Sequence, residues 1–322
     1  MHNPLPAPQA LRITVVIPHL NQPEMLSRCL ASLAAGRRLA DQIIVVDNGS
    51  ASLPTDICAS YPEVRLLQEQ TPGPGPARNL GVANSTGDVL AFIDADCLAD
   101  PDWLAVAATV MADPDAMILG GDVRIAYVDP ARLTMLEAYE SIYAYRMDRY
   151  IAREGFTGTG NLVVRRGVLT QVGPFAGIGV AEDIDWGHRA TRLGLAIRFV
   201  PDMKVFHPAR TKYAELKSKW DRHIAHAFAL TERKPLRLAV WSAKTIAMAM
   251  SPLYEIAQIS ISMRINGRRS RLLALICLTK IRLYRARKMT WLLVGGDPSV
   301  LSGRWNRPAI SDAANAAKRP PL

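Results

Sequence analysis

Apolar residues in the first hundred positions fall into short unbroken runs, separated by stretches where they recur every three or four residues. Strands buried on both faces of a parallel sheet and joined by amphipathic helices produce that alternation. The β-branched run Ile13–Ile17 stops at Pro18; Asn21 then offers a side-chain cap, Glu24 stands three residues later, and Leu26, Leu30 and Leu33 keep helical spacing up to Gly36. Ile43–Val46 predicts a second strand ending at Asp47-Asn48-Gly49-Ser50, Val64–Leu67 a third, and Val89–Ile93 a fourth that runs into Asp94-Ala95-Asp96. Asp100 and Pro101 predict the cap and first turn of a helix over Trp103–Met111. Met117–Val128 predicts one or two strands interrupted at Gly120-Gly121. Leu133–Ala152 predicts a helix with a core stripe of Tyr139, Tyr143 and Tyr150. The glycine-rich Gly155–Gly160 leads into the strand Leu162–Val164; Glu182–Leu193 predicts a helix and Ile197–Val200 a strand. From about Leu236 basic helical segments rich in Leu, Ile and Met replace this alternation.

Charge divides the chain as the pattern does. Residues 1–200 hold 16 basic and 22 acidic residues, a net of −6, whereas residues 201–322 hold 23 and 7, a net of +16. With 49% apolar and 21% charged residues in 322, the composition excludes disordered, collagen-like and coiled-coil chains. The four cysteines are too widely spaced for a zinc cluster or a disulfide framework, and the proline-rich N-terminus lacks the parts of a secretory signal, so a cytoplasmic location is expected. Lys244, Glu255 and Arg264 cut the C-terminal apolar region into runs far shorter than the ~20 residues of a spanning helix, so none is expected. The predicted division is an N-terminal extension (1–11), an α/β domain (12–210), a basic helical region (211–300) and a disordered polar tail (301–322).

In an open parallel sheet, ligands bind beyond the carboxyl ends of the strands. Asp47, Asp94 and Asp96 stand at such ends, and Asp183 opens a later helix. Turn and cap chemistry explains any one of them. Asp94 and Asp96 together are different: two carboxylates projecting from one side of a strand end repel each other unless a cation lies between them. Such hard oxygen ligands suit Mg²⁺ or Mn²⁺. Gly73-Pro74-Gly75-Pro76-Ala77-Arg78 is not a dinucleotide fingerprint, because Arg78 occupies the third glycine position and two prolines remove N–H donors. It predicts a turn into a helix with Arg78 free to meet an anion or a local acid.

Five segments, Ile13–Pro18, Ile44–Ser50, Gly75–Gly81, Phe92–Asp96 and Glu182–Asp185, occur in an order that resembles family 2 glycosyltransferases of the GT-A fold, a Rossmann-like α/β domain with a mainly parallel sheet. The resemblance spans about residues 12–210. It implies contact with the nucleotide base for Asp47, ribose and metal roles for Asp94 and Asp96, a nucleotide-side basic group in Arg78, and a general base in Asp183. Pro18 and Asn21 fall on the nucleotide-sugar side and Gly160, Asn161, Glu182 and Asp185 on the acceptor side, while His207, after the apolar run Lys204–Phe206, is either an additional metal ligand of the kind some GT-A enzymes use or a structural histidine. Glu182 and Asp185 remain alternatives for the base, and Asp185 could instead pair with Arg189 four residues on. The activity implied is metal-dependent, inverting transfer of a sugar from a nucleotide diphosphate to a hydroxyl of a glycan or lipid-linked glycan. A nucleotidyltransferase and a non-catalytic membrane-bound scaffold are the alternatives. The chain lacks the Gln-x-x-Arg-Trp motif of processive synthases after the Glu-Asp pair.

Between Arg264 and Lys288 nine basic residues and no acidic ones alternate with Leu and Ile. That mixture suits a helix lying on an anionic membrane surface at the inner face, with Trp241 and Trp291 as interfacial anchors. A solvated basic face is the simpler reading. No nucleic-acid-binding motif accompanies the charge, so nucleic acid is not an expected partner.

Overall fold

A computed structural model describes residues 11–229, 231 and 235–302. The expected extension and polar tail lie almost wholly outside them. The chain divides into two compact units, one formed by residues 1–128 and 143–209, the other by residues 129–142 and 210–322. The segment 129–142 thus joins the C-terminal unit, which no linear division at residue 210 anticipates.

The first unit is built on one sheet. Its strands are β1 (Ile13–His19), β2 (Gln42–Asp47), β3 (Val64–Gln68), β4 (Val89–Ile93), β5 (Leu98–Ala99), β6 (Ile118–Ala126), β7 (Asn161–Arg165) and β8 (Ile197–Pro208), in the order β3-β2-β1-β4-β7-β6-β8-β5. The pairs β3–β2, β2–β1, β1–β4 and β6–β8 are parallel; β7 runs antiparallel to both β4 and β6, and the short β5 antiparallel to β8. The unit's helices are α1 (Pro23–Ala34), α2 (Thr55–Ala59), α3 (Pro74–Ala83) and α4 (Trp103–Met111), then, after α5 (Met135–Tyr143), α6 (Met147–Arg149), α7 (Arg166–Val172) and α8 (Glu182–Arg192).

Alternation within the strands assigns the two faces. Ile13, Val15 and Ile17 of β1 join Leu26, Leu30 and Leu33 of α1 and Trp103, Leu104 and Met111 of α4 in one cluster, whereas Val16 joins Leu90, Phe92, Leu162 and the α7 and α8 residues Val168, Leu169 and Trp186 on the other. Each fully buried side chain of this size contributes ~1.5–3 kcal/mol, and the burial of both faces explains why the strands read as continuous apolar runs.

Local details depart from the predicted elements. Gln22, not Asn21, precedes α1, with Pro23 in the first turn. Asn21 adopts φ 53° and its side chain accepts a bond from the Ala51 amide, so it joins the loops after β1 and β2 and does not cap the helix. The helix predicted over Leu133–Ala152 breaks after Tyr143, where Tyr145 takes φ 50°, and resumes as α6 and a π-helical turn, Tyr150–Glu154. β6 is one strand, but its pairing with β8 slips at Gly121/Asp122: Gly121 pairs with Val200 and Asp122 with Lys204.

The second unit contains α5, α9 (Tyr213–Ala229), α10 (Pro235–Ile261), α11 (Arg268–Leu293) and α12 (Pro298–Ser302). Thr134 and Glu137 form a reciprocal capping box at the start of α5. Arg271 of α11 donates to the Ile259 carbonyl near the end of α10 at 2.7 Å, satisfying a group the helix leaves unpaired. Trp241 is buried against Phe228, Met289 and Leu292 and donates to the Met289 carbonyl, and Trp291 packs on the same cluster. Trp241 is therefore a core residue of the bundle, a correction to its expected place as an interfacial anchor. No described helix is long and apolar enough to cross a membrane.

Candidate active site

The carboxyl ends of β1, β2 and β4 lie side by side, so the segments that leave them share one edge of the sheet. At the end of β2, Asp47 is 1% exposed. Its Oδ1 accepts from His19 Nδ1 at 2.9 Å and its Oδ2 from the amides of Gly49 and Ser50. His19 Nε2 in turn accepts from the Gln22 amide, which leaves the imidazole proton on Nδ1. Burial raises the Asp47 carboxyl, but the bonds from Ser50 and His19 outweigh it and hold the group below its ordinary range. Asp47 thus braces the loops that follow β1 and β2. Neighbouring Asn48 does similar work, donating to the Glu69 and Thr71 carbonyls and accepting from the Gly73 amide.

β4 delivers Asp94 and Asp96. Ligand atoms of Asp94, Asp96 and Cys97 lie within 4.8 Å of one another. Cys97 is a poor member of that set. Burial pushes its thiol well above its ordinary range, with the two nearby carboxylates adding to the effect, and a thiol that keeps its proton does not ligate a hard cation. It points its Sγ at Asp96 Oδ1, 3.8 Å away. Burial also raises the Asp96 carboxyl, opposed by His207 and helped by Asp94.

His207 reaches this group because β5, directly after Cys97, pairs Leu98 with Phe206. Its Nδ1 donates to the Pro208 carbonyl at 2.7 Å, and its ring packs on Tyr145 with centroids 4.7 Å apart. Its Nε2 lies 3.4 Å from Asp96 Oδ2. The paired carboxylates of Asp94 and Asp96, with this imidazole in reach, are donors of the kind a divalent ion takes.

Arg78, in α3, connects the strand end to α8. Its guanidinium is buried, 2% exposed, and donates to Asp94 Oδ1 at 2.7 Å and Glu182 Oε1 at 2.9 Å. The ion pair with local acids anticipated for Arg78 is the arrangement found. Gly75 lets α3 approach so closely: a Cβ there would fall 1.9 Å from the Ala176 carbonyl oxygen.

The three acids at the start of α8 have different partners. Glu182 is held by Arg78. Asp185 accepts from Arg189 Nε at 2.9 Å, and Arg189 also donates to the Pro174 carbonyl, so Asp185 secures the helix to the preceding loop. Among the described residues Asp183 forms no ion pair. Burial raises its carboxyl, the Ile184 amide pulls it back, Glu182 raises it further and Arg78 lowers it.

Asn161 departs furthest from expectation. It is wholly buried, donates from Nδ2 to the carbonyls of Asp122 and Met203, and accepts from Trp103 Nε1 at 2.8 Å. The slipped β6–β8 register leaves those carbonyls in need of a donor, and Asn161 supplies it. It is a structural clamp, not an acceptor contact. Gly160, beside it, packs closely on Asp94: a Cβ there would lie 2.6 Å from Asp94 Oδ2. Pro18 is half-buried near the end of β1, opposite Val46. His19, Asn48 and Tyr145 were not singled out in the sequence; only the turn-forming character of Asp47-Asn48-Gly49-Ser50 marked that region.

Residues 14–177 match the family described as glycosyl transferase family 2. The glycosyltransferase AglE of Haloferax volcanii is 31% identical over 215 residues, 64% of this chain and 70% of that protein. The pre-mycofactocin glycosyltransferase of Mycobacterium tuberculosis is 26% identical over 253 residues, 73% of this chain and 51% of that one. Among solved structures, the mannosyltransferase PcManGT of Pyrobaculum calidifontis, in complex with GDP-Man and Mn²⁺, superimposes with a TM-score of 0.53 at 18% identity, covering 91% of this chain and 87% of that one. Glucosyl-3-phosphoglycerate synthase of M. tuberculosis, with Mn²⁺, UDP and glucosyl-3-phosphoglycerate, gives 0.50 at 21% identity over 68% and 79%. These two likenesses speak to the fold. The mixed sheet, the family match and the archaeal relative agree: the chain belongs to glycosyl transferase family 2 and is a glycosyltransferase of the GT-A fold.

Proposed function

We propose that this glycosyltransferase moves a sugar from a nucleotide diphosphate to a hydroxyl of a glycan or lipid-linked glycan, with inversion at the anomeric carbon. The observation that carries the proposal is the Arg78 bridge, which holds Asp94 of the metal-type cluster and Glu182 of the acid pair on one buried guanidinium. The bridge ties the carboxylates proposed to take a cation to the helix start that carries the proposed base, which supports a single site for both.

Asp94 and Asp96, with His207 Nε2, would hold Mg²⁺ or Mn²⁺, hard ions suited to these oxygen donors, Mn²⁺ being the ion in the two structural relatives. A divalent ion neutralises charge on the departing diphosphate. Asp183 is the proposed base. Of the three acids in the first turn of α8, it alone is outside an ion pair, and its raised affinity for a proton favours removal of one from an acceptor hydroxyl. Glu182 and Asp185 serve as its positioned neighbours. The loops after β1 and β2, fastened by Asp47 and Asn21, form the nucleotide side together with Pro18. The relatives solved with GDP-Man or UDP support a nucleotide-sugar donor.

The protein would work on the inner surface of an anionic membrane. α10 exposes Leu236, Val240, Ile246, Met250, Leu253 and Ile261, while α11 exposes Arg269, Leu272, Ile276, Lys280, Leu283 and Arg287 at spacings that keep them on one face. The basic and apolar mixture foreseen for α11 is thus realised only on its outer stripe, and α10 supplies the larger apolar face.

Thermal unfolding with UDP, GDP, dTDP and CMP, each with and without Mn²⁺, tests the donor site. Ligand at about 100 times its Kd stabilises by ~2.7 kcal/mol, a shift of a few degrees. One nucleotide is expected to shift the midpoint only with Mn²⁺, and Asp96→Ala to abolish that shift. No shift with any pair overturns the donor reading.

A further inference from the structure

Within the helical unit, α9, α10 and α11 surround a cleft of about 600 Å³. Trp241, Met248 and Met289 give it apolar walls; Lys244, Arg282 and Arg285 bring three positive charges against one acidic lining residue, Glu255. Arg282 reaches Glu255 at 3.5 Å and donates to Met248 Sδ at 3.2 Å. Arg285 lies 3.5 Å above the centroid of the Trp220 ring, and among the described residues it pairs with no carboxylate. The Nε atoms of both arginines are shielded from solvent and have no hydrogen-bond partner. Unpaired buried donors on cations are costly to a fold, and here two of them lie one helical turn apart on a single cleft wall. Burial, with the charge of Arg282 beside it, brings the Arg285 guanidinium down to about 10.

An anion with several acceptor oxygens would satisfy both guanidinium groups. The surplus of about two positive charges matches a phosphate monoester, which carries ~1.5–2 negative charges at pH 7, and guanidinium forks are the side chains best shaped for its oxygens. A cleft of this volume with mostly apolar walls and few convergent polar groups also fits a ligand with an apolar body. We propose that this cleft binds a phosphoryl group carried on an apolar chain, the phosphate on Arg282 and Arg285 with Lys244 beside it, and the chain against Trp241, Met248 and Met289. The site is independent of the sugar-transfer reading, because it lies in the helical unit and is tested by binding alone.

Full-length protein would be titrated with dodecyl phosphate below its micelle-forming concentration, with dodecanol and inorganic phosphate as separate arms, following tryptophan fluorescence and thermal midpoint. Dodecyl phosphate is expected to bind saturably and at least tenfold more tightly than either fragment. Lys244 is exposed, so Lys244→Glu leaves packing intact and is expected to weaken binding about tenfold. Ala247→Trp narrows the cleft without altering its charge and is expected to weaken it as well. Both variants are expected to keep any Mn²⁺-dependent nucleotide shift of the wild type. Equal affinity for inorganic phosphate or for dodecanol, or dodecyl phosphate binding that neither variant changes, overturns the proposal.

Discussion

Asp183 and Asp47 are both partly or wholly buried aspartates near the same sheet edge, yet their environments drive them in opposite directions. Burial raises the Asp183 carboxyl. A base must be unprotonated to act, so kcat/KM rises as pH increases through its pKa, and here that limb should lie above the ~3.9 of an ordinary aspartate. Asp183→Asn should reduce kcat by about 10²–10⁴-fold with that limb removed, while the nucleotide-induced thermal shift persists; a variant that keeps wild-type kcat assigns the base elsewhere. Asp47 is held low by Ser50 and His19. Its folded-state pKa is depressed, so its contribution is fully present above the unfolded value and disappears as pH falls through the folded one. Asp47→Asn should lose about 1–3 kcal/mol near pH 7, with a gap to wild type that narrows below pH ~3.9. Urea titrations across pH would show this, and a constant gap would refute it. Asp47 was legible as a strand-end aspartate, but its bracing of the loops was not, since the groups that hold it are not marked by any local pattern. His19, its partner, sits 28 residues away, and no local pattern joins the two.

At the scale of elements, the strands were legible because burial on both faces writes itself as an apolar run. Boundaries governed by distant contacts were not. Nothing near Asn21 reveals that its side chain bonds Ala51, and nothing near Asn161 reveals the slipped β6–β8 register it repairs. β8 itself extends through Pro208, past the apolar run that predicted it, since its partners are β6 and β5. Close approaches between elements are equally hidden, although glycine marks where they occur. Gly160 begins the approach of β7 to the end of β4, where Asn161 pairs with Ile93. Gly160→Ala would force its Cβ against Asp94 Oδ2 and disturb the carboxylate that Arg78 positions. The expected result is a tenfold or greater loss of Mn²⁺-dependent nucleotide affinity, with a midpoint within a few degrees of wild type; unchanged affinity would show that Asp94 can yield. Gly75→Ala meets a backbone carbonyl instead of a movable side chain, so that variant should lose stability first, by the 1–3 kcal/mol typical of overpacking.

At the scale of the whole molecule, the net −6 of residues 1–200 contrasts with the net +16 of residues 201–322. In the helical unit basic residues lie along α11, and α10 carries an exposed apolar face. A solvated basic bundle has no use for Ile246, Met250 and Leu253, which are 66%, 56% and 65% exposed. Apolar exposure and basic charge in one unit instead suit an interface where hydrocarbon meets anionic head groups, with ~1 kcal/mol available from each basic residue near the surface. The two contributions separate experimentally. Raising salt weakens attraction between exposed charges but leaves apolar insertion largely intact, so binding to anionic vesicles should fall with ionic strength yet retain a residual component. Replacing Ile246, Met250 and Leu253 together by Glu removes insertion at positions where burial in the fold does not oppose the change. At ~1.5 kcal/mol or more per inserted side chain, the triple variant should bind vesicles about a thousandfold more weakly or worse. Its Mn²⁺-dependent nucleotide shift should match that of the wild type. Vesicle binding that survives the triple substitution and disappears in high salt would reduce the association to charge alone, and wild-type binding equal on neutral and anionic vesicles would remove the role of α11's basic stripe.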